Sequence, residues 1–181
     1  MRIIAGECKG RVLNTPKNNQ IRPTTDKVKE ALFSMITAFL QDSIVIDLFA
    51  GSGNLGLEAI SRGAKRCYFG DYSKESLTLL KRNIALCRAE SKSVVIAGDY
   101  MKVLTAILEK ADIIFLDPPY QKNLLLSCLH AISEKELLNE EGIIVAEHGK
   151  TECLPEHIGP FSKIKEKKYG TIIVSLYGFN K

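Results

Sequence analysis

The chain has 181 residues, of which 45% are hydrophobic and 25% charged, and its formal net charge is +4. This composition is ordinary for a globular domain, and no apolar run approaches the roughly 18 residues of a membrane span. The first residues are too soon interrupted by charge for a signal peptide. Five scattered cysteines, without a Cys-x-x-Cys pair, favour reduced thiols over a disulfide or zinc framework. We therefore expect a cytoplasmic protein with one folded body.

The positive charge is concentrated near the amino terminus. Residues 1–29 hold seven basic and two acidic side chains, a charge of +5, whereas the remainder is nearly neutral. Residues 1–14 alternate around two glycines, which predicts a small β-hairpin, and residues 15–23 have the composition of a loop. We interpret residues 1–23 as a basic arm that docks on a polyanion, and residues 24–181 as the body. The alternative is a solvated, lysine-rich surface.

Helical and strand patterns alternate along the body. A helix from about residue 25 carries an apolar stripe as far as Phe39. The apolar runs that predict core strands lie at residues 43–49, 65–71, 94–97, 112–116 and 142–147, with helical periodicity between them. Residues 150–162, which contain two prolines, read as a loop or short helix, and residues 164–179 read as a terminal hairpin. The pattern predicts an α/β fold: a mostly parallel, Rossmann-like sheet with helices on both faces and an antiparallel C-terminal hairpin edge.

A glycine-rich turn follows the first core strand. Residues 51–56 fit G-x-G-x-x-G between a strand and a helix, where glycines permit a tight turn and close backbone approach to a ligand. Asp71 ends the next strand, and a carboxylate there can accept both hydroxyls of a ribose. The pattern predicts an adenosine-containing cofactor. The alternative is a turn that only packs a helix on the sheet.

Acidic residues end three strands of the predicted sheet, at Asp47, Asp71 and Asp99. A carboxylate repels a pyrophosphate but attracts a cation, and S-adenosylmethionine carries both an ammonium and a sulfonium group. Asp99 is placed to reach the adenine amino group. We therefore predict S-adenosylmethionine rather than a dinucleotide. A nicotinamide oxidoreductase is the weaker alternative, because the chain offers no candidate pair for a proton relay.

The sequence Asp117-Pro118-Pro119-Tyr120 follows a short buried strand. The exocyclic amine of a nucleobase is a poor nucleophile, because its lone pair is delocalised into the ring. Hydrogen bonds from that amine to Asp117 and to a proline carbonyl draw the nitrogen out of conjugation, and Tyr120 can stack on the base. Asp117 can also take up the proton after transfer. We predict that these four residues are catalytic; the alternative is an ordinary turn after a strand.

The run Asp-Leu-Phe-Ala-Gly-Ser-Gly at residues 47–53, followed by residues 117–120, resembles the seven-stranded, S-adenosylmethionine-dependent methyltransferase fold. Three amino-terminal segments narrow the resemblance to the RsmD family: residues 1–6, 9–11 and 22–33. That family comprises bacterial methyltransferases of guanine N2 in 16S ribosomal RNA, the RNA of the small subunit. The similarity extends over essentially the whole chain.

The resemblance implies a methyl donor, S-adenosylmethionine, a product, S-adenosylhomocysteine, and no metal ion. It also implies 16S ribosomal RNA as partner, within an assembled or assembling small subunit, and we expect a monomer. The residues expected to bind the cofactor are Asp47, Phe49, Ala50, Gly51, Ser52, Gly53, Gly56, Asp71, Tyr72, Asp99 and Tyr100. The residues expected to contact RNA are Arg2, Lys9, Arg11, Arg22, Thr24, Thr25 and Lys27.

Two alternatives stay open. One is an amino-methylating enzyme that acts on DNA adenine or a protein amide, since those chemistries also use an acid or amide followed by Pro-Pro-Tyr. The other is an RNA-binding ribosome-assembly factor without catalysis. Guanine N2 is preferred to adenine N6 on the resemblance alone. His148, which follows the fifth core strand, is a further candidate near the substrate.

Overall fold

A mixed β-sheet is the centre of the computed structural model, which describes residues 1–16, 26–119 and 124–180. Its strands are β1 (Ile44–Asp47), β2 (Arg66–Asp71), β3 (Ser93–Ala97), β4 (Ala111–Leu116), β5 (Leu138–Gly149), β6 (His157–Ile158), β7 (Phe161–Tyr169) and β8 (Ile172–Phe179). The order in the sheet is β3-β2-β1-β4-β5-β8-β7-β6. The first five strands are parallel, and β8, β7 and β6 extend the sheet with antiparallel pairs.

Helices cover both faces of this sheet. They are α1 (Asp26–Met35), α2 (Asn54–Ser61), α3 (Lys74–Cys87), α4 (Tyr100–Ala106) and α5 (Leu124–Glu134), with short 3-10 helices at Thr37–Phe39 and Glu90–Lys92. Alternate strand residues enter two separate cores, because successive side chains of a strand point to opposite faces. Val45 and Phe115 pack with α1, α2 and α3, whereas Ile46 and Leu116 pack with α4 and α5. The predicted α/β architecture is confirmed.

The sheet has eight strands in the described ranges, so the expected number of seven is wrong. The additional strand is β6, which lies within the segment that we predicted as a loop or short helix. Pro155 and Pro160 flank this strand and do not interrupt it. Ile158 of β6 is buried and pairs with Phe161 of β7, and this buried side chain holds the short edge strand on the sheet.

The start of β5 also differs from the prediction. The pattern predicts helical structure over residues 123–138 with a break near Ser133, and a strand from residue 142, whereas α5 ends at Glu134 and β5 begins at Leu138. Between them, Glu136 adopts a positive φ of 51°, which ends the helical path. Leu138 is buried beside Ala111 of β4, and this tertiary packing outweighs the local helix propensity. No helix in the described parts of the chain is long and apolar enough to cross a membrane.

The amino-terminal hairpin (residues 1–14) packs on the same layer as α1, α2 and α3. Arg2 and Val12 form an antiparallel bridge, and the Ile3 amide donates to the Arg11 carbonyl over 2.9 Å. Ile3 and Leu13 are buried in the core that this layer shares with the sheet. The described part of the basic arm is therefore held against the body by apolar packing.

A buried ion pair joins this hairpin to α1 and α2. The ammonium of Lys29 donates to Glu58 Oε2 over 2.9 Å, to the Arg2 carbonyl over 2.6 Å and to Asn54 Oδ1 over 2.8 Å. All three ammonium protons therefore have an acceptor. Burial lowers the pKa of Lys29, and the neighbouring Glu58 opposes that shift. Lys29 was counted in the +5 charge of the arm, but it is buried and neutralised, so it adds little to the surface potential.

Glu58 is the centre of the same junction. Its carboxylate accepts hydrogen bonds from the amides of Ile4, over 2.8 Å, and Ala5, over 3.0 Å. Arg62 donates to it from one turn further along α2, over 2.8 Å. One buried carboxylate thus holds backbone from the hairpin and cations from two helices.

We expect Lys29→Ala to destabilise the fold by about 3–5 kcal/mol, because the substitution leaves Glu58 buried without its main counter-ion. Urea denaturation measures the loss, and hydrogen exchange of the Ile4 and Ala5 amides reports on the hairpin. Lys27→Ala, which removes an exposed lysine of the same helix, is the matched control. Equal stability of the two variants would show that the ion pair does not hold the hairpin.

Candidate active site

Carboxylates end four adjacent strands on one face of the sheet. Two residues before each carboxylate is a side chain that packs with α1, α2 and α3. Because successive side chains of a strand alternate between the two faces of the sheet, each carboxylate lies on the same face as that side chain. From β2 through β1 and β4 to β5, they are Asp71, Asp47, Asp117 and Glu147, which we call the carboxylate row. Asp117 lies level with Glu147 on the neighbouring strand, about 4.8 Å away. Asp47 pairs with Phe69 and Phe115, so it lies two residues deeper than Asp71 and Asp117, on the strand between them.

A cavity of about 420 Å³ opens beside the carboxylate row. Its lining combines the predicted cofactor residues with the predicted catalytic ones: Asp47, Phe49, Ala50, Gly51, Ser52, Asp71, Tyr72, Asp99, Tyr100, Asp117, Pro118 and Pro119. The lining lies at the carboxyl ends of the parallel strands, where ligands bind in open α/β sheets. Tyr120 lies outside the described residues.

Two predicted glycines, Gly53 and Gly56, lie behind this lining. Gly53 precedes α2 with a φ of 85°, and a Cβ atom there would come within 2.6 Å of Leu80 Cδ1. At Gly56, a Cβ atom would come within 2.3 Å of a ring carbon of Phe69. Gly56 lets α2 approach β2 closely, and Gly53 lets the turn approach Leu80 of α3, so both contacts set the position of the turn that lines the cavity.

Asp47 is the most enclosed carboxylate of the row, with 2% of its surface exposed. Its Oδ2 accepts a hydrogen bond from the Gly56 amide over 2.9 Å. The pKa of Asp47 is raised to about 7, mainly by burial and further by the charges of Asp117 and Asp71, although the Gly56 hydrogen bond opposes this. Burial also raises the pKa of Asp117 to about 6. A bound cation would relieve both effects.

The other two predicted acids are partly engaged by backbone amides. Asp71 accepts hydrogen bonds from the amides of Gly51 and Ser73, each over 2.8 Å. Asp99 caps α4 by accepting from the Lys102 amide over 2.9 Å. A carboxylate offers about four acceptor sites, so each acid keeps capacity for a hydroxyl or an amine in the cavity.

Sequence analysis missed Glu147, which lines the cavity and is 7% exposed, and instead singled out the adjacent His148. His148 faces the opposite layer, where its Nε2 lies 2.9 Å from Ser175 Oγ. Counting in steps of two from Val145 along β5 would have selected Glu147. Sequence analysis also did not place Met1 and Pro16 in the lining, although the hairpin borders the cavity there.

The predicted RNA-contacting residues that the structure describes lie on or beside the hairpin. Arg2 and Lys9 line a separate recess of about 300 Å³, and Arg2 also pairs with Asp26 over 2.7 Å. Arg11 donates to the Leu86 carbonyl. Lys27 is exposed on α1. Arg22, Thr24 and Thr25 lie outside the described residues.

Metal binding has no visible basis in the described part of the chain. No group of three or more histidine, cysteine, aspartate or glutamate side chains there is arranged to hold a metal ion. The carboxylate row is spread across four strands and does not converge on one point.

The sheet order, the glycine-rich turn and the cavity at the strand ends define an α/β protein with a methyltransferase fold. The chain belongs to the family described as conserved hypothetical protein 95, the RsmD family, whose model matches residues 1–178.

Relatives cover nearly the whole chain. It is 39% identical over 180 residues to "Putative rRNA methyltransferase YlbH" of Bacillus subtilis (strain 168), with 98% of each chain covered. It is 33% identical over 177 residues to "Ribosomal RNA small subunit methyltransferase D" of Escherichia coli (strain K12), covering 98% of this chain and 89% of the relative. The solved structure of "Putative methyltransferase yhhF from Escherichia coli" gives a TM-score of 0.89 at 32% identity, covering 99% and 98% of the two chains.

We expect the affinity for S-adenosylmethionine to fall as the pH decreases from about 7.5 to 6, by up to about tenfold per pH unit. A cation binds to the ionised form of Asp47, and the raised pKa of Asp47 means that this form is lost below about pH 7. Isothermal titration calorimetry in two buffers of different ionisation enthalpy should detect proton release at pH 7.

Asp47→Asn should bind more weakly and lose this pH dependence. Asp99→Asn, which removes an exposed carboxylate from the same cavity, is expected to weaken binding but keep the pH dependence. A wild-type affinity that is constant between pH 6 and 7.5 would contradict the assignment.

Proposed function

We propose that this protein transfers a methyl group from S-adenosylmethionine to N2 of a guanine in 16S ribosomal RNA of the small subunit. The observation that carries the proposal is the sharing of one cavity by Asp117-Pro118-Pro119, the glycine-rich turn and the carboxylate row. The names of the relatives support ribosomal RNA as the substrate. An assembled or assembling subunit in the cytoplasm would be the setting.

The cavity residues fit S-adenosylmethionine by charge and by size. A volume of about 420 Å³ lies within the range of small-ligand sites. Burial, and further the charges of Asp117 and Asp71, raise the pKa of Asp47, so added negative charge beside it is unfavourable, which supports a sulfonium and an ammonium over a pyrophosphate. When bound, the cofactor supplies an electrophilic methyl group, and its transfer leaves S-adenosylhomocysteine with the electrons of the broken carbon–sulfur bond on sulfur.

In this proposal, residues of the glycine-rich turn and the strand ends hold the cofactor. Asp71 would accept the ribose hydroxyls, and Asp99 would accept from the adenine amine. Tyr72, which is 71% exposed at the cavity mouth, and Tyr100 would flank the adenosine. Asp47 would balance the positive charge of the methionine part.

Asp117 would act directly on the target amine. Its carboxylate accepts one N–H of guanine N2, and a carbonyl of the following turn accepts the other, which localises the nitrogen lone pair for attack on the methyl carbon. After transfer, the extra proton on N2 passes to Asp117, whose raised pKa of about 6 makes it a better proton acceptor than an ordinary aspartate. Holding the reactants in line supplies most of the acceleration. Tyr120 is proposed to stack on the base.

The basic arm would position the RNA. The hairpin packs into the core through Ile3 and Leu13, so its charges form a fixed surface. Met1 and Pro16 line the cavity, and RNA bound along Arg2, Lys9 and Arg11 would therefore pass the cavity mouth. We propose residues 1–23 as the docking arm and residues 24–181 as the catalytic body of a monomer.

Incubation of unmodified small ribosomal subunits with labelled S-adenosylmethionine should yield N2-methylguanosine. Asp117→Asn should reduce kcat by about 10²- to 10⁴-fold, because the variant lacks the carboxylate that orients and deprotonates the amine. Wild-type kcat should fall below about pH 6 as Asp117 becomes protonated.

The exposed Asp42→Asn variant is the matched control and should behave as the wild type. Cofactor affinity of Asp117→Asn at pH 8 should stay within a few-fold of the wild-type value. A methylated product other than N2-methylguanosine would refute the proposed substrate. Failure of the wild type to bind S-adenosylmethionine would favour a non-catalytic assembly factor.

RNA binding should weaken with salt by about 0.7 logarithmic units per tenfold increase for each phosphate contacted. Lys9→Ala should reduce this slope by about one such step, since it removes one cation of the hairpin. Lys110→Ala removes an exposed lysine that directly precedes β4, at the amino-terminal ends of the strands and away from the cavity, and should leave the slope unchanged. Filter binding across a salt series measures both variants, and identical slopes for them would exclude the hairpin as the docking surface.

A further inference from the structure

We infer that Glu147 selects the target base by accepting the N1–H of guanine, beside the N2 amine held at Asp117. This inference rests on the proposed function and deepens it. It assigns to a residue of this chain the choice between guanine and the other amine-bearing bases. Sequence analysis could make that choice only from a family resemblance.

The position of Glu147 next to Asp117 follows from strand register. Leu116 of β4 pairs with Ala146 of β5 in a parallel register, so the residues that follow them, Asp117 and Glu147, are neighbours across the two strands. Phe115 and Val145 both pack with the α1, α2 and α3 layer, and Asp117 and Glu147 lie two residues later on that same face. Both line the cavity, and Glu147 is 7% exposed.

The edge of the cavity at β4 and β5 offers hydrogen-bond acceptors. Asp117 and Glu147 present carboxylate oxygens, which accept hydrogen bonds when they are ionised. Pro118 and Pro119 have carbonyls but no N–H, so the turn between them adds acceptors and no backbone donor. His148, the residue after Glu147, has a side-chain N–H but faces the opposite layer against Ser175.

The amine-bearing bases differ at the ring atom next to the amine. In guanine the N2 amine is adjacent to N1–H, so these two positions present donors, whereas O6 beyond N1 and N3 on the other side of the amine are acceptors. In adenine and in cytosine the amine is adjacent to a ring nitrogen that carries a lone pair. A protein amide likewise pairs its NH₂ with a carbonyl oxygen. Two adjacent acceptors, Asp117 and Glu147, therefore complement the N2 and N1 donors of guanine, whereas the carboxylate of Glu147 would repel the lone pair of adenine, cytosine or an amide.

Other carboxylates of the row are less suited to this contact. Asp47 lies on β1, on the other side of β4 from Glu147, and two residues deeper than Asp117. Asp71 lies two strands away from Asp117. Glu147 lies on β5, directly beside β4 and on the side away from the glycine-rich turn. Its side chain is one methylene longer than that of an aspartate.

The test uses a target base that lacks the N1–H of guanine but keeps the N2 amine. 2-Aminopurine keeps the N2 amine but has a lone pair at N1. Once the target guanine is mapped, small subunits are assembled in vitro on RNA that carries guanine or 2-aminopurine at that position. Transfer of labelled methyl groups is then measured for the wild type and for Glu147→Gln. The side-chain amide of glutamine can donate to a lone pair at N1.

Wild-type protein should prefer guanine to 2-aminopurine by at least about 100-fold in kcat/KM. In Glu147→Gln, transfer to guanine should fall by about 10- to 100-fold, and the guanine preference should shrink by at least tenfold. 2-Aminopurine also lacks the guanine O6, but that difference is common to both proteins and cancels in the ratio of preferences.

Glu140→Gln, an exposed substitution on the same strand, is the matched control and should keep the wild-type preference. Glu147→Asp keeps the charge and should retain the guanine preference at a reduced rate. Affinity for S-adenosylmethionine and urea denaturation show whether each variant is folded.

An unchanged guanine preference in Glu147→Gln would overturn the inference, whether transfer is normal or falls equally on both bases. If wild-type protein makes N2-methylguanosine and only the preference fails to shift, the proposed function survives without this role for Glu147. If wild-type protein makes no N2-methylguanosine, the proposed function fails and the inference falls with it.

Discussion

The carboxylate row is the constraint on which the rest of the site depends. The strand register and the period of two place Asp71, Asp117 and Glu147 on one face at the carboxyl ends of the strands, with Asp47 two residues deeper between Asp71 and Asp117. Burial and mutual repulsion raise the pKa of Asp47 to about 7, so the row is strained when it is fully ionised. A cation at β1 and hydrogen-bond donors at β4 and β5 would each relieve part of that strain. The same electrostatic demand therefore favours both a sulfonium cofactor and the donor edge of guanine.

The hairpin complements this row with the opposite charge. Lys29 and Glu58 fasten it to α1 and α2, and Asn54, which accepts from Lys29, begins the helix after the glycine-rich turn. The ion pair thus joins the proposed RNA-docking surface and the proposed cofactor turn through a few buried contacts. Removing a basic charge at this junction would disturb the position of the hairpin, whereas removing one at Lys9 would change only the surface potential.

Local pattern predicted the elements that bury a continuous apolar face. The five parallel strands and the glycine-rich turn follow from apolar runs, glycine spacing and strand-end acids, and the structure places the described residues among them around one cavity. The short strand β6 escaped detection because two residues give no period, and the start of β5 depended on tertiary contact with Ala111. Lys29 looked like surface charge because its partner Glu58 is 29 positions away in sequence. Glu147 was overlooked because the adjacent His148 was selected as the candidate instead. Side chains of β5 alternate between the two faces of the sheet, which places Glu147 at the cavity and His148 on the opposite face.

We propose, as the central claim, that one chain combines an acid-lined cofactor cavity with side chains that hold the N2 amine of guanine. Mapping of methylated nucleotides in small-subunit RNA, from cells with and without this protein, tests that claim most directly. We predict that one N2-methylguanine is present in the first RNA and is replaced by unmodified guanine in the second. An identical set of N2-methylguanines in both RNAs, or loss of a methyl group from another atom, would contradict the account.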